Sequence, residues 1–234
     1  MKHFRAKKGP FRDRPYYANR EIETICEDAL RETDLYPAEP RAIRIDRFIE
    51  KRFEVTPSYE ELSDGILGLT QFGPDGVQAI IISRSLDEDP SSAAERRIRT
   101  TLAHEAGHGL LHAHLFVLGC QEKSLFGDFT DPGSPKVLCR DVRTGSVDRP
   151  ASYDGCWWEF QANRVIGALL LPRNLVITAL DSVLSSSGLL GLKILSPARL
   201  NDAVRLVSDL FDVNPVVARI RLQELYPQNP QLSL

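Results

Sequence analysis

Apolar positions in this chain recur mainly at helical spacing. From Asn19 to Thr33, Ile22, Ile25, Ala29 and Leu30 fall on one side of a 3.6-residue repeat, which Pro37 and Pro40 then interrupt. Ile43, Ile45, Phe48, Ile49 and Phe53 predict a second helix over 41–53. The period then shortens: 55–59, 65–72 and 77–83 read as strands, with Gly73-Pro74-Asp75-Gly76 as the turn joining the last two. The nearly continuous apolar run Ala79-Ile80-Ile81-Ile82 suits a strand covered on both faces.

Helical periodicity returns over 93–114 and again over 156–171, where Trp158, Ala162, Val165, Ile166, Leu169 and Leu170 are spaced for burial until Pro172 stops the helix. Further helices are expected over 173–184, 197–211 and 215–226. Asn214-Pro215 is suited to start the last of these, and Ser185-Ser186-Ser187-Gly188 reads as a loop. Between 116 and 153 periodicity is weak, and a segment of that length inside a domain reads as a long insertion, a lid or a rim. The expected class is α+β, with a small antiparallel sheet packed on the 93–114 helix and a mostly helical C-terminal part.

Composition narrows this picture modestly. A chain of 234 residues, 42% of them hydrophobic, can bury one core and carry a small subdomain. Its formal net charge of -3 creates no global field that points to nucleic acid. Locally the first eighteen residues are basic, with Lys2, Arg5, Lys7, Lys8, Arg12 and Arg14 against Asp13 alone, and read as a flexible, solvated arm. No apolar core of a signal peptide follows these charges, and no stretch approaches the roughly 20 apolar residues of a membrane span, so a cytoplasmic location without membrane partners is expected. Cys26, Cys120, Cys139 and Cys156 lack any C-x-x-C spacing and read as thiols of a reducing compartment.

The chemistry concentrates in His104-Glu105-Ala106-Gly107-His108. Residues four apart on a helix share a face, about 6 Å apart along the axis, so both imidazoles can reach one cation. In H-E-x-x-H hydrolases two histidines hold zinc and the intervening glutamate takes a proton from water, which makes Glu105 the candidate base. Such a site needs a third protein ligand. His112 lies about 9 Å along the axis from the midpoint of the pair, too far along an unbroken helix, and is expected to pack or hydrogen-bond nearby. His114 sits where H-E-x-x-H-x-x-G-x-x-H places its third histidine, but Leu111 replaces the glycine and Met1 is the only methionine. Glu159 on a separate helix is the better third ligand, with Asn163 four residues on to accept a hydrogen bond from a ligating imidazole.

With these residues in view, Arg99–His108 (R-x-T-L-A-H-E-A-G-H) and Trp158–Pro172 (W-E-F-Q-A-N-R-V-I-G-A-L-L-L-P) resemble the two characteristic blocks of the ImmA/IrrE family of metallopeptidases. The resemblance implies a gluzincin-like core with His104, His108 and Glu159 as zinc ligands and Glu105 as base. On that division 1–18 is an arm, 19–172 the metallopeptidase domain and 173–234 a helical subdomain. The resemblance also implies a protein substrate, a helix-turn-helix transcriptional repressor, held by β-augmentation on a strand beside the metal helix, to which 77–83 is assigned. Tyr153 and His114 are candidates to stabilise the oxyanion.

Two other readings stay open. A non-catalytic antirepressor or DNA-associated factor would use a structural or vestigial metal site, with Arg199, Arg205, Arg219 and Arg221 of a loosely helix-turn-helix segment over 197–226 against phosphates; interspersed acidic residues weigh against direct nucleic-acid binding. A zinc hydrolase for a non-peptide amide would share the same site. Nitrogen and oxygen ligands of this kind accept manganese as well as zinc, and oligomeric state is unknown from sequence.

Overall fold

The computed structural model describes residues 2–5, 13–126, 136–141, 156–187 and 192–227. Two strands, β1 (Lys2–Arg5) and β2 (Asp13–Tyr16), pair antiparallel and precede α1 (Asn19–Glu32) and α2 (Ile45–Phe53). A sheet follows from β3 (Ser58–Glu60), β4 (Ile66–Gly73) and β5 (Gly76–Ser83). Next come the short α3 (Arg84–Asp87), the long α4 (Ser92–Phe126) and β6 (Lys136–Asp141). The C-terminal part holds α5 (Trp157–Leu170), α6 (Arg173–Ala179), a two-stranded ribbon of β7 (Ser185–Ser187) and β8 (Leu192–Ile194), α7 (Leu200–Phe211) and α8 (Pro215–Leu225). The class is α+β with a helical C-terminal part, and no described helix is long and apolar enough to cross a membrane.

The sheet order is β3-β5-β4-β6. Hairpin β4–β5 and the β4–β6 pair are antiparallel, while the three-residue β3 runs parallel to β5. Ile80, Ile81 and Ile82 are buried, as a strand covered on both faces requires, and the β5 backbone lies inside the sheet. Of the segment 77–83 assigned to an extended peptide, one side pairs with β4, and on the other side 81–83 pair with β3.

Other boundaries moved for identifiable reasons. The second helix begins at Ile45 because Pro40 and the extended residues after it precede Arg44, and the Ile43 carbonyl instead accepts from Arg99 Nη2 at 2.9 Å. Helix α4 runs on to Phe126, past the expected end at 114, and 136–141 leaves the expected insertion to become the sheet's edge strand β6. The expected Ser185–Gly188 loop carries β7, paired with β8. In the arm expected to be flexible, β2 pairs with β1 and Pro15 is buried.

One core joins α1, α2, the sheet, α4 and α5 to α6, α7 and α8, so residues on both sides of position 172 share it. The first turns of α4 are clamped at two points. Arg96 Nε donates to Asp212 Oδ1 at 3.0 Å, and Arg99 Nε donates to the Asp212 carbonyl at 3.0 Å. Asp212 ends α7 in the left-handed region with φ of 51°, a conformation that aspartate tolerates better than most residues. Packing places α4 against the sheet, and this clamp ties its first turns to the end of α7.

Candidate metal centre

Helices α4 and α5 meet at Gly107. A Cβ there would lie 2.9 Å from Val165 Cβ and 3.2 Å from the Ala162 backbone, closer than packed carbons tolerate, so glycine lets the helices approach. The close approach carries Glu159, on the first turn of α5, over the paired histidines of α4. His104 Nε2 lies 3.0 Å from Glu159 Oε2, His108 Nε2 lies 3.4 Å from Glu159 Oε1, and the two Nε2 atoms are 3.1 Å apart. Both histidines are buried and Glu159 is partly so.

Tetrahedral zinc with bonds of about 2.0–2.1 Å places its ligand atoms roughly 3.3 Å from one another. The three separations match that spacing. The ligand chemistry fits as well. His104 Nδ1 is 3.1 Å from Asn163 Oδ1, so its N–H points there and its Nε2 lone pair points at Glu159. The two Nε2 atoms and the carboxylate thus converge, a ligand set positioned to hold one metal ion.

Glu105 lies on the neighbouring position of α4 and is fully buried against β4. Thr70 Oγ1 donates to Glu105 Oε2 at 2.7 Å and also sits 3.2 Å from the Glu105 carbonyl. Gly68, two residues earlier on the same strand, makes room: a Cβ there would be 2.6 Å from Thr101 Cγ2 and 3.0 Å from Glu105 Oε1. The strand thus holds the glutamate by a hydroxyl on one position and by absence of bulk on another.

His112 stands outside the convergent group but touches it: its Nδ1 is 3.1 Å from His108 Nδ1, and its Nε2 is 3.0 Å from Gln161 Oε1. Full burial pushes the His112 ring well below the usual histidine range. The structure therefore brings together His104, His108, Glu159 and Asn163, with Glu105 next to them on the helix, and leaves His114 out of the group of candidate ligands. Tyr153 lies outside the described residues. Arg221, one of the cations considered for phosphate contact, is buried and bound to Glu23.

Thr70, Gly68 and Gln161 were not singled out from sequence. Thr70 sits on a strand recognised by its apolar period, in which a threonine is ordinary. Gln161 left one signal, a polar residue amid the burial-spaced positions of α5. Neither a family model nor a curated protein matches this chain.

Proposed function

We propose that the chain is a zinc-dependent endopeptidase in which His104, His108 and Glu159 hold the metal and Glu105 is the general base. The observation that carries this reading is the convergence of two imidazole Nε2 atoms and the Glu159 carboxylate, with separations of 3.0–3.4 Å, beside a buried glutamate on the same helix as the histidines. A bound zinc ion supplies Lewis-acid chemistry, acidifying water and polarising a carbonyl. Glu105 takes the proton from water and returns it to the leaving amine, and Thr70 aims the carboxylate by holding Oε2. Asn163 keeps the His104 ring in the orientation that presents Nε2.

The resemblance of Arg99–His108 and Trp158–Pro172 to the ImmA/IrrE blocks supports a protein substrate, and a helix-turn-helix transcriptional repressor is the proposed one. Manganese is an acceptable substitute for this ligand set. The test is Glu105→Gln. It should lower cleavage of a repressor by about a hundredfold to ten-thousandfold, while metal analysis of protein purified without chelator shows undiminished content. Undiminished cleavage would overturn the assignment of the base. Repressor binding that proceeds in wild type without any cleavage would favour the non-catalytic antirepressor.

A further inference from the structure

The hydrogen bonds behind His108 have only one consistent direction, and it starts far away in sequence. The Pro15 carbonyl, on strand β2, can only accept. Gln161 Nε2 donates to it at 2.8 Å, which fixes the amide orientation and turns Gln161 Oε1, an acceptor, towards His112 Nε2 at 3.0 Å. His112 must therefore carry its proton on Nε2. The His112 ring is fully buried, and among the described residues its nitrogens face only the Gln161 amide and the His108 ring, with no carboxylate to hold a second proton; its Nδ1 is therefore a lone pair, and the atom 3.1 Å away, His108 Nδ1, must be the donor. A neutral His108 ring with its proton on Nδ1 has its lone pair on Nε2, the atom that faces His104 and Glu159.

We infer that Pro15, Gln161 and His112 form a directional hydrogen-bond relay that fixes His108 as the Nδ1–H tautomer and so prepares its Nε2 for the metal. His112 and Gln161 are positioning residues that act through His108. The relay is buried along its length: His112 is 0% and Gln161 4% exposed, so water does not compete for either ring nitrogen. Free imidazole prefers the opposite tautomer, with the proton on Nε2; left to itself His108 would present an N–H where a lone pair is required. The relay also gives the basic N-terminal segment a task, because its second strand supplies the terminal acceptor. The consequence for metal affinity rests on the zinc reading above, whereas the tautomer itself does not.

The first measurement needs neither metal nor substrate. Long-range proton–nitrogen NMR correlations on the full-length metal-free protein, at mildly alkaline pH, report which nitrogen of each ring is protonated. Expected are Nδ1–H for His108 and Nε2–H for His112; a His108 ring protonated on Nε2 would overturn the relay, whatever the protein's activity. The second measurement is zinc affinity by chelator competition. His112→Leu removes the acceptor for His108 and should weaken binding about tenfold to hundredfold. His112→Asn places an amide oxygen where Nδ1 was and should restore affinity to within about threefold of wild type. Equal losses in the two variants would reduce His112 to a packing residue and overturn its part in the relay. Absence of zinc binding in wild type would instead sink the metal reading and its predicted consequence, leaving the tautomer result to judge the relay alone.

Discussion

Two clusters of polar groups are buried between helices in this molecule, and they are built on opposite plans. At the α1–α8 seam, Arg221 Nη1 and Nη2 donate to the two oxygens of Glu23 at 2.6 and 2.8 Å, and Nε donates to the Leu171 carbonyl at 3.0 Å. Donors and acceptors match, charge cancels, and Glu224 lies beside the same arginine. At the α4–α5 crossing, His104, His108 and Glu159 turn acceptors towards a common centre. The first cluster is closed by its own residues; the second is a group positioned to hold a metal ion. Burial and polarity alone do not separate a structural network from a binding site, but the balance of donors against acceptors does.

Removing one side of the closed cluster should have the largest effect on stability. Arg221→Ala strands Glu23 and the Leu171 carbonyl and should cost about 3–5 kcal/mol in denaturant unfolding, with zinc affinity per folded molecule unchanged. A loss under about 1 kcal/mol would mean that solvent already competes at that seam. Next comes the helix crossing that assembles the open cluster. Gly107→Ala forces α5 away from α4 and should cost a net of about 1–2 kcal/mol even after the better helix propensity of alanine. Unlike Arg221→Ala, it should also weaken zinc binding, because Glu159 moves with α5. The smallest effect belongs to the base. Thr70→Val removes the hydroxyl that holds Glu105 Oε2 and should slow turnover roughly tenfold, leaving metal content intact. Weakened zinc binding in that variant would instead make Thr70 part of the metal's own surroundings.

What the sequence reveals follows the reach of each interaction. His104 and His108 are legible because four residues on a helix are one turn, and the rise per residue also excludes His112 as a ligand while keeping it close. The helices of the C-terminal half carry their own period and were placed to within a few residues, apart from α6, which stops at Ala179. Pairings between distant segments leave no such trace. β6 lies in a stretch with no alternation strong enough to mark it, β7 is three serines, and β2 is the tetrad Asp13-Arg14-Pro15-Tyr16, whose Pro15 carbonyl accepts from Gln161, far along the chain. The Thr70–Glu105 contact is invisible for the same reason, since it requires knowing which face of β4 meets which turn of α4.

That last contact makes strand register a determinant of chemistry. Side chains on a strand alternate faces, so a slip of β4 by one residue would turn Thr70 away from Glu105 and put a bulkier neighbour in the space that Gly68 leaves. Two partners hold the register: β5 through the hairpin, with an irregularity between Gln71 and Phe72, and β6, where Leu138 stands opposite Thr70. As relatives of this chain diverge, the stretch between α4 and α5 can therefore grow or shrink on either side of 136–141. Within those six residues an insertion or deletion would be read out as a misaimed carboxylate, with its cause more than thirty residues from the glutamate it displaces.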